Sequence, residues 1–555
     1  MGFYVNPPAD GFAEVLADGQ YVDKSGLIAY TNGVLGTSRK LIISTRPRRF
    51  GKSFAAKMLT AYYSKGADAR SLFEKLKIAS IGDEGRYDEH LNKHDVIFVD
   101  VTSFISRAED IRNTVYDLQA AVIKELKKEY PGCISDHTKK LASALMDVRE
   151  ETGHKFLIII DEWDALFREA KNEKELQESY IQFLRSLFKT AETSQIIAGA
   201  YMTGILPIKK YGTQSALTDF REFTMLEPGP LAPFIGFTED EVKLLCEEYD
   251  LDFTETQKWY DGYQFDIVGQ FAAAEKNQSN SKTGRIKIKQ GNIVQHVYCP
   301  NSIVELMTKR KFGSYWTKTE TYESLREYID FNYDGLKNAL VNMLGGKRCR
   351  IDPETFQNDM VSIRSRDDIF TLLVHLGYLA YDSDRKEVFI PNEEVRGEFI
   401  RAVKEGGRPE LAKAVKISDD LLKATLAKDE MAVAKMIEAA HFAETAPQNY
   451  NDEQALRHVV IMAYLTSIDH YLKFEELASG REYCDILFLP RPTSRKPALL
   501  VELKWNKSAD QAITQITDKQ YPQIMKKFGY EGKLLLIGLN YSTKTGKHTC
   551  RIAEY

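Results

Sequence analysis

Eight consecutive residues, Arg46-Pro-Arg-Arg-Phe-Gly-Lys-Ser53, have the composition of a phosphate-binding loop. In the pattern Gly-x-x-x-x-Gly-Lys-Ser/Thr, backbone N–H groups and a helix N-terminus cradle phosphates. The lysine reaches the β- and γ-phosphate oxygens, and the hydroxyl residue holds Mg²⁺. Gly51, Lys52 and Ser53 match this pattern, whereas Arg46 stands at the first glycine position. The apolar run before the loop and the helical pattern after it favour nucleotide binding over a basic loop that only caps a helix.

A pair of acidic residues, Asp161 and Glu162, ends the nearly continuous apolar run Phe156-Leu-Ile-Ile-Ile-Asp161. A buried carboxylate is costly unless it has a partner. We therefore expect Asp161 to carry Mg²⁺ together with Ser53, and Glu162 to orient or activate the attacking water. Thr203 ends a further apolar run and is either a polar sensor of the γ-phosphate or a satisfied strand-end hydroxyl. The predicted cofactors are ATP and Mg²⁺, and the predicted nucleotide-binding residues are Arg46, Pro47, Arg48, Arg49, Phe50, Gly51, Lys52, Ser53 and Thr203.

A parallel sheet would bring these side chains together. Apolar, β-rich runs alternate with segments of helical length and period, such as Ile111–Tyr130 and Lys174–Thr193. This alternation predicts an α/β fold whose N-terminal parallel sheet has helices on both faces. The long gap between Lys52 and Asp161 fits a sheet in which another strand lies between the two motif strands. The predicted strands are Lys40–Thr45, Val96–Val101, Phe156–Asp161 and Gln195–Gly204.

Four separated motifs resemble the bacterial AAA-ATPase-like family over roughly residues 5–310. They are Tyr21-Val-Asp-Lys-Ser25, the loop 46–53, Ile160-Asp-Glu-Trp-Asp164 and Trp259-Tyr-Asp-Gly-Tyr263. In this family the arginine form of the loop replaces the first glycine, so the resemblance implies that Arg46 is expected. The segment Tyr298-Cys-Pro-Asn-Ser302 is similar to the family's Tyr-Asn-Pro-x-Ser, with Cys299 in place of asparagine. The polar stretch 274–291 resembles an insertion before it and is interpreted as an exposed loop.

A second candidate site lies near the C-terminus, where Asp485, Glu502 and Lys504 fall on two strands of a predicted hairpin. Residues 502 and 504 point to the same face of their strand. One Asp and one Glu can bind Mg²⁺, and the lysine can position water or stabilise a phosphorane-like transition state. The alternative is an ion pair on a solvated strand face. Gln511, Gln515 and Lys519 are expected on one helix face lining the same cleft, and the predicted strands are Asp485–Leu489, Ala498–Lys504 and Lys533–Asn540.

The order of helix Glu453–Tyr471, hairpin, helix and strand resembles the PD-(D/E)xK nuclease superfamily over roughly residues 450–545. The resemblance implies a metal-dependent nuclease fold with Asp485, Glu502 and Lys504 as catalytic residues. Cys484 replaces the proline of that pattern, and Glu453 corresponds to an accessory acid. His458 and His470 are interpreted as ordinary residues of the predicted helix.

The 555 residues predict three domains: an ATPase-like domain over 1–235, a mostly helical middle region over 236–445 and a nuclease-like domain over 446–555. A hairpin near Gly377–Pro391 is compatible with a winged-helix-like module within 365–400, although a role in structural packing is favoured. The chain carries a formal charge of −5, but from Gly480 onward 13 basic and 7 acidic residues give +6. A locally basic domain fits a polyanionic partner, and ordinary surface variation is the alternative. The predicted partner is nucleic acid, DNA rather than RNA.

The six cysteines have no CxxC spacing, and no apolar stretch reaches membrane-spanning length. We therefore expect a cytoplasmic protein without membrane contact, and a homo-oligomer is compatible with the sequence. The leading prediction is an ATPase coupled to a nuclease-like domain that acts on nucleic acid. The alternative is a nucleotide-dependent signalling switch whose C-terminal domain binds nucleic acid or a partner without cleavage.

Overall fold

The computed structural model divides the chain into two compact units. The first comprises Met1–Trp316 and Arg350–Asn392, and the second comprises Thr317–Cys349 and Glu393–Tyr555. The structure describes residues 2–208, 217, 219–267, 293–316, 325, 335–356, 363–405, 409–444, 452–479, 482–491, 494–519, 525 and 530–555. The stretch 274–291, predicted to be a loop, lies outside these residues. The three predicted domain boundaries stay a prediction.

The first unit is built on a parallel sheet of five strands in the order β2-β3-β4-β1-β5. Every residue of β1 and of β3 is buried, as expected for strands covered on both faces. Strand β4 lies between β1 and β3, which confirms the predicted strand between the two motif strands. The strands are β1 (Leu41–Thr45), β2 (Asp95–Asp100), β3 (Phe156–Asp161), β4 (Ile197–Gly204) and β5 (Arg221–Phe223).

Helices cover both faces of this sheet, as predicted. On one face, Ile43 and Ile158 pack in a large apolar cluster with helices Thr114–Glu129, Leu141–Thr152 and Lys174–Phe188. On the other face, Ile42 and Leu157 meet helix Lys52–Tyr63. The remaining helices of four or more residues in this unit are Asp10–Ala17, Gly26–Asn32, Arg70–Phe73, Lys77–Ser80, Tyr87–His90, Val101–Arg107, Ala165–Glu169, Thr193–Ile196, Glu239–Glu248, Phe253–Tyr260, Pro300–Lys309 and Arg366–Leu376.

Several predicted boundaries in this sheet were wrong by a few residues. Gln195 and Ile196 belong to the helical turn Thr193–Ile196, so the fourth strand begins at Ile197. The helix predicted over Lys174–Thr193 ends at Phe188. Strand β5 was not predicted, because its three residues include a single buried one and give no apolar run.

The middle of the chain is mostly helical, as predicted, but it also contains strands. An antiparallel sheet has the order β6-β8-β7, formed by β6 (Phe237–Thr238), β7 (Tyr263–Ile267) and β8 (Ile293–Tyr298). A short strand, β9, covers Cys349–Arg350. The predicted hairpin is confirmed as β10 (Ala380–Asp382) paired with β11 (Glu387–Phe389). It follows helix Arg366–Leu376, which begins at a Ser365–Asp368 capping box.

The second unit contains a mixed sheet whose five strands lie side by side in chain order. They are β12 (Tyr471–Ser479), β13 (Glu482–Pro490), β14 (Ala498–Trp505), β15 (Leu534–Ser542) and β16 (Lys547–Glu554), and only β14 and β15 pair in parallel. Leu499 and Val501 face an apolar cluster with the helices before the sheet, whereas Leu500 packs with Ile516 on the opposite face. The helices of this unit are Leu336–Leu344, Glu393–Glu405, Pro409–Leu426, Glu430–Glu444, Glu453–Ala463 and Ala509–Asp518.

The helix predicted over Glu453–Tyr471 was wrong at its C-terminal end. It stops at Ala463, and Tyr471 begins strand β12, so His470 lies outside the helix. Apolar residues at 464, 468 and 471 keep a spacing of three to four residues that imitates a helical period. Strand β16 was also missed, because its sequence carries few apolar residues. Within the described residues, none of the helices is long and apolar enough to cross a membrane.

Candidate functional site

The loop after β1 has the backbone of an anion cradle. Gly51 has a φ of 88°, a conformation that glycine adopts at little cost, and Arg49 also has a positive φ of 67°. Gly51 is the N-cap of helix Lys52–Tyr63, whose 12 residues place their first N–H groups at the loop. A helix N-terminus and a loop of this kind favour a bound anion.

Lys52 lies folded over the loop and is almost fully buried. Its Nζ donates a hydrogen bond of 3.1 Å to the Pro47 carbonyl and lies 3.4 Å from Oε1 of Glu162. Both contacts can be exchanged for phosphate oxygens, because the ammonium group keeps three donors of flexible direction.

The Ser53 hydroxyl lies beside the carboxylate of Asp161, so the loop and the end of β3 meet at this pair. The pKa of Asp161 is raised to about 6, mainly by burial and also by Glu162, whereas Ser53 and Lys52 oppose the rise. A divalent cation would stabilise the charged carboxylate in this buried position. Ser53 and Asp161 therefore fit a Mg²⁺ site with oxygen ligands.

Glu162 is held between two cations. It has a φ of 51°, and its carboxylate contacts both Lys52 and the guanidinium of Arg168. Arg168 also donates to Asp164 over 3.0 Å. Asp164 is fully buried and accepts hydrogen bonds from the backbone N–H groups of Ile205 and Leu206, just after β4.

Arg168 was not predicted as part of the site. Its only signal in the sequence is a spacing of four residues from Asp164, which is common for ion pairs on helix surfaces. The structure shows instead a buried cation that links the carboxylate after β3 to the segment after β4.

One cavity of about 490 Å³ opens beside the loop. Glu162 and part of the loop line it, whereas Pro47, Asp161 and Thr203 are not among its lining residues. Thr203 pairs with Ser44 in the sheet, and its buried hydroxyl has no hydrogen-bond partner in the described part of the chain. Its role as a sensor stays a prediction. The predicted nucleotide-binding residues that line the cavity are Arg48, Arg49, Phe50, Gly51, Lys52 and Ser53.

Arg46 does not line this cavity either. Its buried guanidinium donates to the carbonyls of Thr45, Phe223 and Thr224 over 2.8, 3.3 and 3.0 Å, and thereby joins the ends of β1 and β5. Its position explains how an arginine can replace the first glycine of the pattern: the side chain braces the sheet. A contact between Arg46 and a nucleotide stays a prediction.

Trp316 and residues of two motifs outside the loop reach it from other parts of the first unit. The indole of Trp316 donates to the Arg48 carbonyl over 3.0 Å, and the Cys299 thiol lies 3.7 Å from the Arg49 carbonyl. The ring of Tyr263 meets that of Phe50 edge-on, with centroids 5.4 Å apart. The motif residues at 263 and 299 therefore support the loop backbone.

The predicted C-terminal residues also come together. Ile486 of β13 pairs with Val501 of the antiparallel strand β14, so Asp485, just before Ile486, lies opposite Glu502, just after Val501. Asp485 accepts hydrogen bonds from Arg457 and from the Leu503 backbone N–H, each over 2.8 Å. Lys504 donates to Oε1 of Glu502 over 2.9 Å. We call Arg457, Asp485, Glu502 and Lys504 the C-terminal cluster.

The C-terminal cluster is buried at Asp485, Glu502 and Lys504, and each carboxylate is paired with one cation. Oε2 of Glu502 has no hydrogen-bond partner among the described residues, and burial together with Asp485 raises the pKa of Glu502 to about 7. Burial and Asp485 also raise the pKa of Glu453. No group of three or more His, Cys, Asp or Glu side chains in the described ranges is arranged to hold a metal ion. A metal at this site would have at most two carboxylates and water as ligands.

The helix Ala509–Asp518 packs on the face of the sheet that carries residues 498 and 500, and alternation along β14 puts Glu502 and Lys504 on the same face. On this helix, Gln511 accepts the Ser508 N–H in a capping box. Gln515 is half-buried and Lys519 is exposed. Their participation in the cluster stays a prediction.

The sheet order, the Gly-Lys-Ser loop after β1 and the Asp-Glu pair after β3 define a P-loop ATPase-like domain. In agreement, residues 10–213 match the family model described as a predicted AAA-ATPase. Among solved structures, the chain is similar to the Walker-type ATPase of Pyrococcus abyssi at 13% identity, with a TM-score of 0.33, covering 68% of this chain and 96% of that one. No argument rests on a similarity at that level. Comparison with curated proteins gave no match. The family match ends at residue 213, so the nuclease resemblance stays a prediction.

Proposed function

We propose that the first unit binds ATP with Mg²⁺ and hydrolyses it. The observation that carries this proposal is the placement of Ser53 beside Asp161, together with the 3.4 Å contact between Lys52 and Glu162. These are the side chains that a P-loop enzyme needs for the metal, for the β- and γ-phosphates and for the attacking water.

In the proposed reaction, a water oxygen attacks the γ-phosphorus and the bond to the β,γ-bridging oxygen breaks. ADP leaves with that electron pair, and the water proton passes to Glu162 or to phosphate. Bound Mg²⁺ would neutralise developing charge on the phosphate oxygens. In the structure, Lys52 contacts the Pro47 carbonyl and Oε1 of Glu162. When Lys52 moves to the phosphates, Oε1 of Glu162 becomes free.

The direct test is ATP binding to Lys52→Ala, with Lys57→Ala as the control. Lys57 lies on the same helix but does not line the cavity. We expect a strong loss of ATP affinity in the first variant only, measured by equilibrium titration. Equal ATP affinity in both variants and the unmodified protein would refute the proposal.

For the second unit we propose a metal-dependent nuclease-like site at the C-terminal cluster. The observation that favours it is the placement of two carboxylates opposite each other on β13 and β14 beside Lys504. Like charges directly opposite in a sheet are destabilising without a cation between them. The basic stretch after Gly480 supports a nucleic-acid substrate, and we favour DNA.

The competing proposal is a switch in which the second unit binds nucleic acid or a partner without cutting. The pairing of Asp485 with Arg457 and of Glu502 with Lys504 favours it, because each carboxylate already has a cation. Cleavage assays on single- and double-stranded DNA and RNA with Mn²⁺ and ATP separate the two. Binding without cleavage on all substrates would support the switch.

A further inference from the structure

The cavity beside the phosphate-binding loop has a second wall that the proposed phosphate contacts do not use. Phe54 directly follows Ser53, and Met58 lies on the same helix face about 6 Å further along the axis. Tyr21 approaches Met58, with 3.4 Å between its hydroxyl oxygen and the sulfur. All three side chains line the cavity. The wall that leads away from the loop is therefore largely apolar.

Phe54 is the notable member of this wall, because its residue surface is 52% exposed. It lies on a helix whose other apolar residues are mostly buried. A half-exposed aromatic ring in a cavity next to a phosphate cradle offers a stacking surface for a flat ligand.

Helix Pro300–Lys309 also lines the cavity. Asn301 and Val304 are three residues apart, so they lie on one face of this helix, and both line the cavity. Within the described part of the chain, no protein group forms a hydrogen bond with the Asn301 side-chain amide. That amide offers a donor and an acceptor side by side.

We propose that Tyr21, Phe54, Met58, Val304 and Asn301 form a purine-base subsite, in which apolar groups cover the ring and the Asn301 amide pairs with its edge. Adenine presents a donor next to an acceptor, which is the complement of an amide. The subsite rests on the proposed function, because it requires the nucleotide phosphates to lie in the loop. It assigns a ligand-binding role to Tyr21 and Asn301, which belong to two motifs that lie outside the loop sequence.

The proposal accounts for the size of the cavity as well as its chemistry. Ligand pockets generally measure about 300–1,000 Å³ and combine apolar walls with a few placed polar groups. At about 490 Å³, this cavity is lined by the phosphate-binding loop, by these apolar groups and by Asn301.

The test compares ATP, GTP and inorganic tripolyphosphate, each with Mg²⁺, by equilibrium titration of the full chain. Phe54→Ala should weaken ATP binding about tenfold, the scale of a lost base-stacking contact, and leave tripolyphosphate binding unchanged. The control Tyr116→Ala removes an exposed aromatic ring elsewhere in the unit and should change neither. Thermal unfolding should show that the variants are folded.

Asn301→Asp gives a sharper result, because a carboxylate only accepts hydrogen bonds. It pairs with the adjacent donors of guanine but not with adenine, so the preference for GTP over ATP should rise about tenfold, the size of one good paired contact. Asn172→Asp, at an exposed position outside the cavity, is the matched control. Tripolyphosphate binding should be the same in both.

Two outcomes would overturn the subsite. One is an unchanged ATP affinity in Phe54→Ala and an unchanged ATP-to-GTP ratio in Asn301→Asp. The other is a loss of tripolyphosphate binding in Asn301→Asp as large as its loss of ATP binding, which would place Asn301 against phosphate. In both cases Lys52→Ala should still weaken tripolyphosphate binding. If it does not, the proposed ATP site itself fails, and the two failures are thereby distinguished.

Discussion

The loop site of the first unit and the C-terminal cluster of the second use the same residue types in different states. In both, carboxylates on a β-strand or directly after one are paired with cations from the same chain. At the loop, Lys52 and Glu162 border a cavity of about 490 Å³, so a ligand can replace their mutual contact. In the cluster, Glu502 and Lys504 are only 2% and 5% exposed. Lys52 is equally buried, at 4%, so the two sites differ in the cavity that lies beside the Lys52–Glu162 contact.

The largest expected effect is at the loop site. Glu162→Gln removes the carboxylate but keeps its size, so turnover should fall by about 100-fold or more while ATP still binds. Steady-state hydrolysis and equilibrium titration measure the two separately. Glu169→Gln, at an exposed position of the same helical segment, should leave both unchanged. Turnover near that of the unmodified protein would exclude Glu162 as the residue that orients water.

The parallel change in the C-terminal cluster is Asp485→Ala. If the cluster binds a metal, Mn²⁺-dependent cleavage of nucleic acid should fall by about 100-fold or more, because one of two carboxylate ligands is lost. ATP hydrolysis should persist, since Asp485 belongs to the other compact unit. Lys504→Ala should slow cleavage and leave metal binding largely intact. Asp518→Ala, an exposed acid on the neighbouring helix, is the control. Equal cleavage by Asp485→Ala and the unmodified protein would place the activity elsewhere.

The sequence predicted the side chains at both sites more completely than it predicted their partners. Gly51, Lys52, Asp161 and Glu162 were found because long apolar strands lead directly to them. The partners of Asp485 and Glu162, Arg457 and Arg168, lie on helices where a charged residue usually faces solvent. Their burial depends on tertiary packing, for which the sequence gives no local pattern.

The sheet of the second unit illustrates the same limit. Its central strands were predicted, but β12 and β16 at the two edges were missed. Edge strands are covered less completely, so their sequences carry a weaker apolar alternation. The segment after Ala463 was predicted as helix because its apolar residues keep a helical spacing. In the structure the helix ends at Ala463 and a strand begins at Tyr471.

Arg168 provides an intermediate test of the comparison, since it is the internal partner at the loop site. Arg168→Gln should lower kcat about tenfold with little change in KM, because Glu162 loses one of the groups that position it. Arg168→Lys keeps the charge and should recover part of that loss. In the double variant with Glu162→Gln, the further change in kcat should be small, because Arg168 acts through Glu162. If Arg168→Gln lowers kcat equally in the unmodified protein and in the Glu162→Gln variant, the role of Arg168 is purely structural.

The smallest expected effect concerns Cys299, where the chain departs from the asparagine of the resembling family. The thiol is a weak donor, and it lies 3.7 Å from the Arg49 carbonyl in the loop. An amide N–H in its place would form a stronger hydrogen bond, so Cys299→Asn should raise stability by about 1 kcal/mol or less, which is the usual net value of one such bond. The stronger hydrogen bond to the loop carbonyl should also tighten ATP binding slightly, and it should not affect any activity of the C-terminal cluster. Cys299→Ala, which removes the weak donor, should change stability in the opposite direction. Thermal unfolding with and without ATP measures both. If Cys299→Asn destabilises the protein as much as Cys299→Ala, residue 299 contributes through its packing in a buried position rather than through the loop carbonyl.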